Sequence, residues 1–288
     1  MIAEETIPRP TRLALLAFMA ITVGLPVFGL SIVVLLWRPP TTVEIAVSLL
    51  MYSLAGLGIS MGWHRLFTHR GFECSLALRV LLAIAGSMAF EGSLASWVAN
   101  HRMHHAHTDR PGDPHSPWIS SSKTRGFLHA HMGWLLTPGA PVEKFARDIS
   151  TNRALAMVSR FWWVAALTGL LIPALVAGLL AGLDAFWGML AFAGLLRVVL
   201  FHHVTWSVNS ICHLSGSRRF ETQDHSGNVA WLALFSFGES WHNNHHAHPR
   251  FARHGVVRGQ LDPTAALLRL LEILRLVRSV AWPTRLQR

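Results

Sequence analysis

The sequence predicts an all-α integral membrane protein, with four transmembrane helices, interfacial helices and a histidine-rich cap on the cytoplasmic side. Three observations carry that prediction. The 288-residue chain is 51% hydrophobic and only 14% charged, with a mean hydropathy of +0.36, whereas soluble domains carry roughly 25% charged residues. Its apolar residues gather in runs near 12–37, 43–63, 161–183 and 185–206. Each approaches or exceeds the roughly 20 residues that cross a bilayer as a helix. Between and after those runs stand three histidine clusters: His64 with His69, then His101, His104 and His105, then His242, His245 and His246.

Taken in order, residues 1–11 read as a loose polar tail without the features of a cleavable signal peptide. Pro39-Pro40 breaks the chain between the first two spans. The second span is expected to continue past the membrane surface and carry His64 and His69. Five residues apart, their rings stand about 140° apart on an α-helix, so they could grip one ion from two sides or bind two. Leu76 to Val98 is apolar as well. If it crossed the membrane, the first two histidine clusters would sit on opposite faces, and Glu91, Ser93 and Ser96 dilute its second half. It is therefore expected to be a helix in the interface or packed on the bundle.

His101-Arg102-Met103-His104-His105 places its histidines at i, i+3 and i+4, within a single turn on one helical face. Three rings there suit a shared metal, because neutral imidazole is a common ligand of transition ions. His242-Asn243-Asn244-His245-His246 repeats the spacing. Asn209 and His213 follow at i and i+4 past the fourth span. The resulting nine histidines are too many for one ion and suit two. Residues 109–117 are rich in proline and glycine and cannot form a regular helix. Asp109 and Asp113 in that loop are candidates for orienting imidazole N–H groups. His129, His131, His202 and His203 read as structural or solvated. Asp262 and Pro263 start a leucine-rich helix whose Arg269, Glu272, Arg275 and Arg278 recur every three residues. That pattern suits an amphipathic helix on the inner leaflet. Residues 1–288 read as a single domain, with 64–160 and 207–288 cytoplasmic.

The chain has 23 Arg, two Lys and a net charge of +10. The short connections at Arg38–Thr42 and around Asp184 carry one Arg between them. Nearly all the rest fall on the other face, which the positive-inside rule makes cytoplasmic. The basic excess suits anionic lipid headgroups and an acidic protein partner; no known motif points to nucleic acid. Cys74 and Cys212 form no CxxC pair and are too few for an iron–sulfur cluster. A metal transporter would place ionisable ligands within its spans. A zinc hydrolase needs about three protein ligands and would leave most of these histidines unused.

The clusters, in their order and separated by two pairs of spans, resemble the three histidine boxes of membrane fatty-acyl desaturases, nearest to the stearoyl-CoA type in a bacterial form without a fused electron-transfer domain. Asp109-Arg110-Pro111-Gly112-Asp113-Pro114-His115 is similar to the family's acidic loop. His131-Met132-Gly133-Trp134-Leu135-Leu136 resembles its HVGWLL segment. Trp206-Ser207-Val208-Asn209-Ser210-Ile211-Cys212-His213 fits its W-x-V-N-S-x-x-H pattern, and Phe237-Gly238-Glu239-Ser240-Trp241-His242 its run into the third box. The likeness extends from about residue 43 to about 260.

The resemblance implies a non-haem di-iron enzyme that uses O2 and two electrons to introduce a cis double bond into a long acyl chain. It implies iron ligation by His64, His69, His101, His104, His105, His213, His242, His245 and His246, with Asn209 acting through water. Glu239 joins Asp109 and Asp113 behind the ligands, and Trp97 and Trp206 are expected in the wall of the acyl tunnel. Acyl-CoA is the first expected substrate form. Ala99 and Asn100 stand where animal acyl-CoA members tend to carry charge, which leaves acyl-lipid and acyl-carrier-protein forms open. His107 and His248 stand where many relatives have an aromatic and are read as local differences. Electrons are expected from a separate ferredoxin or cytochrome b5-like protein with its reductase, at a bacterial-type inner or plasma membrane. A hydroxylase, ketolase or acetylenase is the sibling alternative; the E-H-x-x-G-H-H box of alkane hydroxylases is absent.

Overall fold

The computed structural model describes residues 11–284, so the expected tail lies outside the described residues except for Thr11, which caps the first helix. The chain runs through α1 (Arg12–Leu36), α2 (Thr42–Thr68), α3 (Leu76–Ser87), α4 (Leu94–His107), α5 (Lys123–His131), α6 (Trp162–Ala181), α7 (Leu183–Leu214), α8 (His242–Ala247) and α9 (Pro263–Ile273), with shorter turns between them. Among the described residues, α1, α2, α6 and α7 are long and apolar enough to cross a membrane. Burial ranks them. About half of the most apolar window is buried in α2 and α7 (44% and 50%), against 11% and 17% in α1 and α6. The inner pair therefore carries the site, and the outer pair turns Leu13, Leu30, Leu179 and Leu180 outward.

The turn between α1 and α2 follows from Pro39-Pro40 and from Thr41, which forms a reciprocal capping box with Glu44. Arg38 in this turn reaches Glu44 at 2.8 Å and Asp184 at 3.0 Å, tying together the two short connections that the charge pattern had grouped.

From Gly58 onward α2 is wound as a π-helix. A Cβ at Gly58 would stand 2.1 Å from the Gly86 backbone nitrogen, so α2 and α3 meet backbone to backbone. The Trp63 indole N–H donates to the Ala83 carbonyl at 3.1 Å and fixes that contact. The winding answers the question left open by His64 and His69. The backbone N–H of His69 donates to the His64 carbonyl at 3.1 Å, an i→i+5 bond. Residues five apart therefore stand one over the other, with ring centroids 4.8 Å apart.

The apolar stretch Leu76–Val98 is two helices rather than one. Glu91, Gly92 and Ser93 supply the break: Phe90 and Gly92 take left-handed φ values of 61° and 85°, and Ser93 caps α4. From α7, Arg197 donates to the Met88 carbonyl at 3.0 Å and His202 to that of Ala89 at 2.8 Å. α3 packs on α2 and α6, and α4 carries the second cluster. The expected C-terminal helix is also shorter than its charge periodicity suggested. Arg275 adopts φ 59°, and Val277–Arg278 instead pairs antiparallel with Glu73–Cys74. Trp63, Phe67, Leu82, Leu94, Val98, Leu155 and Leu268 form the core beneath the histidines.

Candidate metal centre

The nine histidines singled out in the sequence meet in two groups. His64, His69, His101, His105 and His245 form one, and His104, His213, His242 and His246 the other, with ligand nitrogens within 4.8 Å of one another in each. This corrects the expectation that each i, i+3, i+4 triplet shares one ion. At about 100° per residue, i+4 lies some 40° to one side of i, and i+3 some 60° to the other. Each box therefore keeps its i, i+4 pair together and sends its i+3 ring across. His101 and His105 take in His245, while His242 and His246 take in His104. α2 and α7, the inner spans, contribute His64 and His213.

Carboxylates behind the rings fix which nitrogen faces inward. His104 Nδ1 lies 2.9 Å from Asp113, His213 Nδ1 3.0 Å from Asp109, and His246 Nδ1 3.0 Å from Asp224. An imidazole that donates from Nδ1 keeps a lone pair on Nε2. Those Nε2 atoms face one another: His213 and His242 at 2.9 Å, His242 and His246 at 3.0 Å, His104 and His246 at 3.4 Å. In the five-histidine group the Nε2 atoms of His64 and His245 lie 3.1 Å apart, those of His245 and His105 2.9 Å, and those of His105 and His101 3.1 Å. His69 Nε2 is buried with no hydrogen-bond partner. Where an aspartate holds the proton on Nδ1, as at His104, His213 and His246, the inward Nε2 presents a lone pair that a cation among the rings would take up. The donor set thus fits two transition ions with nitrogen ligands and carboxylates outside the ligand shell.

The electrostatics agree. Burial, and then the charge that neighbouring imidazoles would add, holds His101, His104, His105, His242 and His245 well below their usual value of 6.5. They are neutral and ready to ligate. Burial opposes ionisation of Asp109, Asp224 and Glu239, but the adjacent histidines outweigh it and hold all three carboxyls below their usual range. Glu239 touches His64 and Ser60, and lies 3.1 Å from Arg65. Arg65, almost wholly buried, also meets Asp262 at 3.0 Å.

A cavity of about 370 Å3 is lined by Trp97, His101 and Trp206, with Asn209 beside them. Trp97 lies nearly parallel to His101, centroids 5.1 Å apart, and its indole N–H donates to Glu91 at 2.8 Å. Trp206 stacks on His202 at 5.0 Å. His131 bonds Ser210 and His203, each at 3.0 Å, and His129 bonds the Pro114 carbonyl. None of these, nor His107 or His248, joins a metal-holding group among the described residues.

Sequence reasoning missed Asp224, His115, His254 and Glu91. His115 groups with His104 and Asp113, and His254 with His64 and Glu239. All lie outside the helical repeats that marked the boxes, so no periodicity pointed to them. His115 stood in plain view within the acidic loop.

Comparison with known proteins agrees with this geometry. Residues 39–266 match the family described as fatty acid desaturase. The chain is 38% identical over 263 residues to a hex-5-enoyl-[acyl-carrier protein] acetylenase of Moorena producens (strain JHB), covering 88% of this chain and 82% of that one. It is 39% identical over 243 residues to delta-9 acyl-lipid desaturase 1 of Arabidopsis thaliana (84% and 76%). It is 36% identical over 240 residues to an sn-1 stearoyl-lipid 9-desaturase of Anabaena variabilis (82% and 83%). A membrane-type helical bundle, two groups of converging imidazoles and a match over most of the length all lead to one assignment: the chain belongs to the fatty acid desaturase family and is a fatty acyl desaturase.

Proposed function

We propose that this enzyme uses O2 and two iron ions to introduce a cis double bond into a long-chain fatty-acyl substrate. The division of nine histidines into groups of five and four, one of whose members, His101, lines a cavity, carries the reading. Bound iron would supply the O2 activation that lets hydrogen be taken from two adjacent methylenes. The chain's own residues do the rest. Neutral imidazoles ligate, while Asp109, Asp113, Asp224 and Glu239 hold those they touch in orientation. Asn209 serves one iron through water. Trp97 and Trp206 clasp the acyl chain and keep water from the reacting carbons.

The reading places residues 64–160 and 207–288 on the cytoplasmic side of a bacterial-type inner membrane, where the arginines concentrate. Electrons come from a separate ferredoxin or cytochrome b5-like protein with its reductase. A lipid-borne acyl chain is favoured over acyl-CoA. Ala99 and Asn100 bring no charge to this part of the site, and two of the relatives named above act on lipid-bound chains by name. The acetylenase among the relatives supports a second reading, oxidation of an existing double bond to a triple bond.

The test is an acyl profile by gas chromatography–mass spectrometry of cells expressing the chain, beside His104→Ala, with lipid, CoA and carrier-protein pools separated. New monounsaturated chains absent from the control support desaturation, and the pool in which they appear first names the carrier. Acetylenic or hydroxylated chains establish the sibling chemistry. An unchanged profile with iron and reductase supplied overturns the reading.

A further inference from the structure

The surface outside the five-histidine group carries charge that the acyl chemistry does not use. Arg70 follows His69 in the chain, and Arg102 follows His101. Arg102 is built in: its guanidinium donates to the Phe67 carbonyl at 2.6 Å, the Phe145 carbonyl at 2.9 Å and Asp148 at 2.7 Å. Asp148 also receives Arg70 at 3.0 Å. Arg70, Arg102, Phe145 and Asp148, with Lys144, Arg147 and Thr151, line a shallow surface recess of about 430 Å3. Its lining holds four cations and one carboxylate, and Arg70 is 69% exposed. No residue of this recess also lines the cavity beside His101.

We propose that this recess is the docking surface for an acidic one-electron carrier protein that reduces the metal centre. The inference rests on the proposed function, because the balance of that reaction demands two electrons from outside; the charge of the recess is what favours an acidic carrier as their source. Reducing O2 to two waters takes four electrons and four protons. The acyl chain gives up two hydrogens, hence two electrons and two protons, as its double bond forms. The other two electrons arrive from outside, one per carrier encounter, with two protons from solvent. An incoming electron needs a short path and a substrate-free approach. The recess offers both. Its Arg70 and Arg102 are each one residue from a ligand, and the Arg102 guanidinium also bonds the carbonyl of Thr68, the residue before His69. A positive recess steers an acidic carrier into place, raising encounter rates in a manner that salt suppresses.

The test uses the iron-loaded enzyme in detergent, mixed in stopped flow with reduced plant-type ferredoxin as the acidic carrier. Photoreduced 5-deazariboflavin, which carries no charge for the recess to steer, serves as the comparison reductant. The variant Lys144→Glu/Arg147→Glu leaves the residues beside the ligands untouched; a second variant adds Arg70→Glu. The expected result at low salt is a carrier-driven reduction slowed roughly tenfold or more, with its salt dependence flattened. The deazariboflavin rate and iron content should stay at the parent level. Equal carrier rates in parent and variants overturn the proposal. It is also overturned if the variants lose only binding to anionic phospholipid vesicles, or only affinity for an acylated carrier protein. Assaying acyl products under deazariboflavin separates this failure from that of the functional reading. A charge-sensitive reduction with no altered acyl chain would sink the function and leave the docking surface standing.

Discussion

In the four-histidine group, His104, His213 and His246 each present Nδ1 to an aspartate. In the five-histidine group, the carboxylate of Glu239 backs His64 and divides itself among Arg65, Ser60 and His254. His101 is held differently, by the face of Trp97. The first group is thus ringed by negative charge that raises the basicity of its ligands, and its Asp109 and Asp113 are largely buried. The second has its carboxylate compensated by a buried guanidinium, and it adjoins both the cavity and the basic recess. On the proposed reading, one half of the centre would hold an ion, and the other would hold an ion while touching substrate and donor. Four experiments sharpen or break that contrast.

The largest effect belongs to the ligands. Replacing His104 or His101 with alanine should remove one equivalent of iron, from a different group in each case. Activity should fall by more than the roughly 100-fold that marks the upper end for groups behind a ligand. Iron content and product yield on the same preparation check this, and loss of both ions from either variant would mean the groups are not separable.

Next come the carboxylates. Asp113→Asn should weaken one iron site by about 10–100-fold with little change in the melting of metal-free protein. Glu239→Gln should do the reverse in emphasis: it removes one of the two carboxylates on the buried Arg65 and leaves Asp262 as the other, so stability should fall, but by less than the about 3–5 kcal/mol of a buried charge with no partner. Competition with a chelator and thermal melting of the metal-free forms separate the two. Matching profiles would erase the proposed difference.

Acidity gives a smaller, graded effect. His101, His104, His105, His242 and His245 resist protonation when folded, whereas the unfolded chain takes up protons at the usual 6.5. Their contribution is full above that pH and is lost as pH falls below it, by up to about 1.4 kcal/mol per group per unit. The depressed carboxyls Asp109, Asp224 and Glu239 act in a lower window, with stability lost as pH falls below the usual carboxylate range. Metal-free protein should therefore melt lower at pH 5.5 than at pH 7, and bound iron should shield it. A flat melting profile over that range would contradict the neutral, buried state of the rings.

The smallest effect is expected from Trp97→Phe, which keeps a ring over His101 and forfeits the hydrogen bond to Glu91, about 1 kcal/mol. KM or double-bond position should shift while iron content stays at the parent level. A fall in iron content would make Trp97 a support for the metal rather than a wall for substrate.

The chain's residues declared much of this in advance. Runs of about 20 apolar residues admit few structures in a bilayer, because lipid leaves backbone polar groups nowhere to bond except within a helix. Histidines at i, i+3 and i+4 announced metal chemistry, and the basic face marked the polar side. Asp109 and Asp113 were legible because their loop, rich in proline and glycine, had to be irregular and lay next to the second box. Asp224, His254 and Glu91 were not. Each reaches its partner across a long sequence gap or out of a turn, where no periodicity points.

The sequence by itself thus determined the class of fold and marked the nine histidines that gather in two groups able to hold metal, because hydropathy and helical spacing are local properties. Tertiary structure alone decided how the ligands are shared. A π-wound turn, made where Gly58 lets α2 press on Gly86, stacked His64 over His69. The angle of about 100° between i+3 and i+4 became an exchange of His104 and His245 between two groups only when α4 and α8 were set face to face. That pairing depends on packing between residues some 140 positions apart, which no local pattern encodes.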